Sequence, residues 1–193
     1  MSTSTHLMRQ RRFFPLFTTQ LLNALNDNLY KNAMVLFVVY QVYSSPEAET
    51  FISGVATAVF VLPFVLFSAT SGQLADMRDK AKIIRWIKFA EIVIMSVGAI
   101  GLVMAARGIA VEMLAIPLLF LALFAMGVHS TFFGPIKYAI LPQHLKKDEV
   151  LAGTGLVEAG TYVAILAGMI LGGAMPISWS TAALIIIALV GYV

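Results

Sequence analysis

Apolar residues along the chain fall into six long runs that are separated by short polar links. Each of the first five runs is about long enough to cross the roughly 30 Å hydrocarbon core of a bilayer as a helix. The sixth spans about 22 Å at 1.5 Å per residue, so we expect the chain to end inside its sixth helix. The predicted helices cover residues 13–43, 51–75, 83–106, 113–133, 150–174 and 179–193.

Basic residues are distributed very unevenly between the two sides of this predicted bundle. Eleven of the thirteen lie in the tail 1–12, around the link 76–82 and in the link 134–149, whereas Arg107 lies on the other side and Lys31 within a span. Because positively charged links stay in the cytoplasm, we expect the N-terminus and both basic links to be cytoplasmic. Residues 13–193 then form one six-helix membrane domain after a cytoplasmic tail.

Composition agrees with a polytopic, all-α membrane protein and narrows the chemistry. Of the residues, 60% are hydrophobic and 12% are charged, which excludes an ordinary soluble domain. The net charge of +3 is not clustered on a soluble surface, so we expect no nucleic-acid partner. The chain has no cysteine, no nucleotide-binding glycine loop and no HExxH or GxSxG motif, and its three histidines are far apart. We therefore predict no enzyme, no cofactor and no metal site.

The first predicted helix carries an unusual stripe of polar residues. At 100° per residue, Gln20, Asn23, Asp27 and Lys31 share an arc of about 80° and face away from lipid. Two interpretations are open. In the structural one, Asp27 and Lys31 form an ion pair across one turn and bind the helix to its neighbours. In the functional one, the stripe lines a water-filled path, where Asp27 meets a cation, a proton or a cationic headgroup.

Other ionisable residues lie within predicted spans. Glu158 falls near mid-depth of the fifth helix and must face the bundle interior, where a functional and a structural role fit about equally. Lys88 and Glu91 are three residues apart on the third helix, and we interpret them as a structural pair with Lys88 reaching toward the interface. His129 has no carboxylate one turn away on its helix, which favours a hydrogen-bonded packing role.

The link between the second and third spans reads Gly72-Gln-Leu-Ala-Asp76-Met-Arg-Asp-Lys80-Ala-Lys82. It resembles the signature of the major facilitator superfamily, in which a glycine ends helix two, an aspartate follows four residues on and basic residues start helix three. Four positions match, namely Gly72, Asp76, Lys80 and Lys82, whereas Met77 and Asp79 depart from it. The resemblance implies a gating role for these four residues and above all for Asp76. Alternatively, Asp76 caps the third helix.

Three further stretches are similar to the bacterial lysophospholipid transporter family. They are Asn26-Asp-Asn-Leu-Tyr-Lys31, Phe132-Phe-Gly-Pro-Ile-Lys-Tyr-Ala-Ile-Leu-Pro-Gln143 and Leu156-Val-Glu-Ala-Gly-Thr-Tyr162. The resemblance implies a twelve-helix transporter that moves lysophospholipids, such as lysophosphatidylethanolamine, inward across the cell inner membrane by alternating access. The chain would then be the N-terminal six-helix half, with a C-terminal half and the bilayer as partners and an acyltransferase as a further candidate.

The same resemblance implies roles for individual residues. Asp27, with Asn23, becomes the first candidate for contact with the headgroup, Glu158 a second polar contact and Lys31 a candidate for the phosphate. Two alternatives stay open. One is a proton-coupled exporter of small solutes or drugs that uses Asp27 or Glu158, and the other is the membrane module of a fused acyltransferase and acyl-acyl-carrier-protein synthetase.

Overall fold

The computed structural model describes residues 6–192, apart from the side chain of Ala48, and the described residues form helices and short links without a strand. The first five residues of the predicted tail and Val193 of the predicted sixth helix lie outside this range. The helices are α1 (Phe14–Phe37), α2 (Pro46–Met77), α3 (Lys80–Ala106), α4 (Ile116–Ala139), α5 (Leu141–His144), α6 (Val150–Ala174) and α7 (Ile177–Tyr192). π-Helical segments continue α1 (Val38–Tyr43) and precede α4 (Val111–Ala115).

Four of the described helical segments are long and apolar enough to cross a membrane. They are Glu49–Met77, Lys80–Ala106, Val111–Ala139 and Val150–Ala174. Helix α1 is not among them, since its polar stripe lowers its hydropathy, and Ile177–Tyr192 is apolar but shorter. The structure therefore agrees with an all-helical membrane protein, while the complete six-helix half stays a prediction.

Helix α1 occupies the centre of the bundle. It packs against α6 on one side and α7 on the other, while α2 packs on α4, and α3 lies between α4 and α7. Buried side chains of α1, among them Leu29, Tyr30 and Met34, form the main apolar core with residues of α2, α3, α4 and α7. The Tyr30 hydroxyl donates a hydrogen bond of 2.8 Å to the Leu119 carbonyl and so ties α1 to α4.

Glycines allow α1 and α6 to pack with their backbones in contact. A Cβ added at Gly168 would lie 2.5 Å from the Leu25 carbonyl oxygen, and one at Gly172 would lie 2.6 Å from the Leu29 carbonyl oxygen. These spacings are too short for any side chain, so the small residues four apart on α6 set the helix separation, as small-xxx-small patterns do in membranes.

The N-terminal segment closes one end of the bundle, which we call the basic end. Leu7 and Phe13 are buried against Leu141, Leu145 and Val157, which come from the α4–α6 connection and from α6. Next to this apolar contact, Arg12 forms an ion pair with Glu149 at 2.7 Å. The described part of the tail, residues 6–12, and the link 134–149 therefore lie at the same end.

Two connections differ from the sequence expectation. Helix α2 begins at Pro46 and not at residue 51, because proline suits the first turn and Glu47 and Glu49 favour the positive end of the helix dipole. Helix α4 runs through Pro135 to Ala139, and the short α5 follows, so much of the predicted link 134–149 is helical. Neighbouring helices make an internal proline tolerable in such a bundle.

Candidate functional site

The polar stripe on α1 is buried inside the bundle. Gln20, Asn23 and Asp27 expose 2%, 5% and 6% of their surface, and each keeps one side-chain oxygen without a hydrogen-bond partner among the described residues. The Gln20 amide nitrogen donates to the Val157 carbonyl of α6 at 3.2 Å. Three unpaired oxygens on successive turns of one helix make an electronegative strip that needs donors or a cation.

Asp27 is the charged centre of this strip. Its Oδ2 accepts hydrogen bonds from Asn23 Nδ2 at 3.2 Å and from Ser130 Oγ of α4 at 2.5 Å, whereas Oδ1 has no partner among the described residues. Both donors are neutral, so they orient the carboxylate without cancelling its charge. A buried carboxylate in a membrane protein is costly unless it meets a cation or a proton.

The ion pair between Asp27 and Lys31 that the spacing suggested is not formed. Lys31 Nζ instead lies 5.3 Å from the centre of the Phe60 ring of α2, a cation–π geometry. Lys31 thus contacts α2, while Asp27 contacts Ser130 of α4. The predicted ion pair was therefore wrong, whereas the choice between a structural and a functional role for the stripe stays a prediction.

A second buried polar network, which the sequence did not assemble, lies beside the first. The Lys88 ammonium forms an ion pair with Glu91 on α3, and Asn26 Nδ2 of α1 donates to the other Glu91 oxygen at 3.0 Å. His129 Nε2 of α4 lies 3.8 Å from Glu91. Lys88 is only 2% exposed, so the expected reach to the interface was wrong. Glu91 and His129 lie on different helices and are 38 residues apart, so no local sequence pattern predicts their contact.

Glu158 belongs to a third polar contact, nearer the basic end. It is half-buried on α6 and accepts a hydrogen bond from the Tyr138 hydroxyl of α4. Lys137 Nζ lies 4.8 Å from the centre of the Tyr138 ring. Lys137 and Tyr138 were missed as site candidates, because the sequence placed them in a polar link and not in α4.

The candidate gating residues lie at the end of α2 and the start of α3. Asp76 is exposed in the last turn of α2 and makes no hydrogen bond or ion pair among the described residues. Asp79 is the N-cap of α3 and accepts from the N–H groups of Ala81 at 3.0 Å and Lys82 at 3.2 Å. The helix-cap interpretation of Asp76 was therefore wrong.

The remaining gating candidates show little packing constraint. A Cβ added at Gly72 would meet nothing within 4 Å, and Lys82 is exposed near the start of α3, where Lys80 is the first residue. Nothing in the described bundle therefore requires a glycine at position 72. The exposed surface of this motif is free to contact another part of the protein.

An apolar cavity of about 350 Å³ lies between α1, α2 and α4 at the end opposite the basic end. Its lining consists of Val38, Tyr43, Phe51, Ile52, Val55, Ile116 and Phe120. Val38 follows Asp27 by eleven residues, which is about 16 Å along a helix. The acidic strip and the apolar cavity thus lie in series along the same pair of helices, α1 and α4.

A helical membrane bundle with a buried polar centre and a charged motif between α2 and α3 defines an integral membrane transporter of the major facilitator type. The family model described as transmembrane secretion effector matches residues 3–192, and the chain belongs to that family.

The chain is also similar to curated lysophospholipid transporters. The lysophospholipid transporter LplT of Salmonella heidelberg (strain SL476) is 29% identical over 173 residues, and the proteins of the same name from Salmonella agona (strain SL483) and Salmonella typhi match equally. The alignment covers 90% of this chain but 38% of each relative, so the chain spans well under half of their length. No solved structure matched the chain.

Proposed function

We propose that the chain is part of a transporter that moves lysophospholipids inward across the bacterial cytoplasmic membrane by alternating access. In this proposal the basic end faces the cytoplasm, the chain supplies the N-terminal half of the transport path, and a second half completes it. The similarity to lysophospholipid transporters supports the substrate class. An acyltransferase that consumes the imported lipid is the expected partner.

The observation that carries the proposal is the state of Asp27. Its carboxylate is buried, held by two neutral donors, and has one free oxygen next to the free oxygens of Asn23 and Gln20. Such a strip suits a primary ammonium, which has three N–H donors and a positive charge. Lysophosphatidylethanolamine carries this group on its headgroup.

The acyl chain of the proposed substrate could occupy the apolar cavity. A single acyl chain extending from a headgroup at Asp27 would reach the cavity near Val38 and Phe120, about three helical turns away. Tyr30 and Met34 are fully buried between these two places, so an amphipathic molecule would lie along this line only when α1 and α4 move apart during the transport cycle. The distribution of polar and apolar surface therefore matches a lipid with one chain.

The other candidate residues take supporting roles. Asn23 holds Asp27, Lys31 offers a cation for the headgroup phosphate once it leaves the Phe60 ring, and Glu158 offers a second acidic contact toward the basic end. The substrate would pass from the Asp27 strip to Glu158 as the path opens inward.

The test is uptake of radiolabelled lysophosphatidylethanolamine by spheroplasts that express the complete protein. Asp27→Asn should lower the initial rate at least tenfold, because one charge-assisted contact is worth about 1.5–3 kcal/mol. Asp148→Asn, which removes an exposed carboxylate, is the matched control and should transport normally. Lysophosphatidylglycerol lacks the ammonium, so its uptake should respond less to Asp27→Asn. Wild-type uptake of lysophosphatidylethanolamine in the Asp27 variant would exclude the proposed role.

A proton-coupled exporter of small solutes is the second candidate. The family description as a secretion effector favours outward transport. Efflux of a solute that depends on the pH gradient, together with no uptake of either lysophospholipid, would favour this candidate over lipid import.

A further inference from the structure

Four polar residues from three helices form a sealed group next to the Asp27 strip, which we call the Glu91 cluster. They are Asn26 of α1, Lys88 and Glu91 of α3, and His129 of α4, and none exposes more than 5% of its surface. Helix α7 closes the group, because Asn26 Nδ2 also donates to the Leu184 carbonyl at 3.2 Å and Lys88 Nζ lies against Gly191. The cluster therefore joins four helices of the bundle.

Within the cluster, Glu91 is fully engaged. One of its oxygens accepts from Lys88 and the other accepts from Asn26 at 3.0 Å. One lysine cancels one carboxylate, so the pair is neutral as it stands. A purely structural pair would need nothing more.

A purely structural role for the Lys88–Glu91 pair does not explain why His129 is buried beside it. Both ring nitrogens are buried and neither makes a hydrogen bond of normal geometry among the described residues, although the Ile87 backbone lies close enough to act on the ring. Leaving such a group unsatisfied costs about 1–3 kcal/mol. Its Nε2 lies 3.8 Å from the Glu91 oxygen that Lys88 also contacts, so a shift of about 1 Å would bring it within hydrogen-bond range.

Two nearby charges act on His129 in opposite senses, since Glu91 attracts a proton to the ring, while Lys88, together with the burial of the ring, opposes one. In the described part of the chain, the charged groups that act on His129 are Glu91 and Lys88 of α3, while Asp27 of α1 lies close enough to interact with Glu91. Helix α2 lines the same region with apolar residues such as Leu74, and α7 contributes backbone. Lys88 and His129 thus compete for one carboxylate.

We propose that the Glu91 cluster is a proton-binding site, in which His129 takes a proton from water that reaches it when the bundle opens and then forms an ion pair with Glu91. The proton adds to a ring nitrogen, no other bond changes, and the cluster goes from neutral to a charge of +1. In the filled site the Nε2–H group donates to Glu91, which pairs one of the two ring nitrogens that are unpaired in the structure.

The site is placed to influence Asp27. Asn26 and Asp27 are consecutive on α1, and His129 and Ser130 are consecutive on α4, so each helix contributes to both networks with adjacent residues. A positive cluster beside Asp27 would weaken the binding of a cationic headgroup there. By linkage, binding of that headgroup should expel the proton. This coupling rests on the proposed function, whereas the proton site itself does not.

The proton site can be measured without any substrate. The complete protein, labelled with ¹⁵N-histidine, is placed in lipid nanodiscs, and the His129 signal is assigned by its loss in His129→Asn. His6→Asn and His144→Asn remove the chain's other two histidine signals. His129 should titrate reversibly within the pH range in which the protein stays folded. A ring that stays neutral over that whole range would overturn the proposal.

Two charge variants should shift this titration in opposite directions. Glu91→Gln removes the stabilising carboxylate, so the proton affinity of His129 should fall at least tenfold, or one pH unit. Lys88→Met removes the competing cation, so the affinity should rise at least tenfold. If Glu91→Gln fails to fold because Lys88 is left unpaired, Lys88→Met still decides, and an unchanged midpoint in that variant would contradict the proposal.

Coupling is tested by adding lysophosphatidylethanolamine to the purified protein in weakly buffered solution and following the pH. Proton release that is lost in both His129→Asn and Asp27→Asn supports the coupling. Normal lipid binding without release would refute the coupling but leave the proposed function standing. A titrating His129 in a protein that does not bind this lipid would refute the proposed function and leave the proton site standing.

Discussion

At the residue scale, Asp27 and Glu91, the two carboxylates buried within the described membrane spans, are stabilised in different ways. Glu91 has a lysine on its own helix and an amide from α1, whereas Asp27 has an amide and a hydroxyl. A carboxylate that is paired with a lysine costs less to keep buried than one left without a cation, so Asp27, which has only neutral donors, retains its need for a cation. The difference in partners, and not burial alone, separates Glu91 from Asp27, the candidate residue for binding a cationic headgroup.

A residue outside the membrane spans gives a pH-dependent prediction. The backbone N–H of Lys146 donates to Glu149 at 2.9 Å, and together with the Arg12 guanidinium it lowers the pKa of that carboxyl below its usual value of 4.5. Because the folded pKa is lowered, the stabilisation is complete above the unfolded pKa and is lost as the pH falls through the folded value.

We therefore expect Glu149→Gln to lower the melting temperature slightly above about pH 5, with a difference from wild type that disappears as the pH falls below 4.5. Thermal unfolding of the purified protein in detergent between pH 3.5 and 7 measures this difference. The neighbouring Asp148→Asn is the control and should track wild type throughout. A Glu149→Gln difference that stays constant down to pH 3.5 would show that the ion pair is not the cause.

At the element scale, the contact between α1 and α6 depends on small residues. Gly168→Ala would place a methyl group 2.5 Å from the Leu25 carbonyl, and a backbone atom cannot rotate away as a side chain can. We expect a loss of about 1–3 kcal/mol from the forced helix shift, seen as a lower melting temperature. Gly155→Ala on the same helix meets nothing within 4 Å and should be neutral or slightly stabilising, since alanine favours helices. Equal melting temperatures for the two variants would contradict close α1–α6 packing.

The same scale shows how much the sequence can predict. Hydropathy indicates where long helices lie, and helical periodicity places Gln20, Asn23 and Asp27 on one face, where the structure has them buried together. Helical periodicity does not show which residue of a neighbouring helix a side chain contacts. The spacing of Asp27 and Lys31 therefore suggested an ion pair. In the structure, Asp27 contacts Ser130 and Lys31 contacts Phe60. The meeting of Glu91 with His129 depends on how α3 packs on α4, which no local pattern contains.

At the scale of the whole molecule, the motif between α2 and α3 predicts different roles for its two aspartates. Asp79 holds the start of α3, whereas Asp76, three residues earlier, points away from every described partner. If the exposed motif contacts a second half of the transporter, Asp76 acts between the halves and contributes nothing to the fold of this one. Alternating access in this superfamily moves one helical half against the other, so such a contact would favour one of the two states.

The two aspartates should therefore give opposite results. Asp76→Asn should leave the melting temperature unchanged and change the initial rate of lysophosphatidylethanolamine uptake at least threefold, because it removes a contact made in one state of the cycle. Asp79→Ala should lower stability by about 1 kcal/mol through loss of the helix cap, with uptake per folded molecule close to wild type. Melting curves in detergent and uptake normalised to membrane protein level measure both quantities on the same samples. If Asp76→Asn lowers stability as much as Asp79→Ala does, Asp76 acts within this bundle, and its assignment to a contact between halves is wrong.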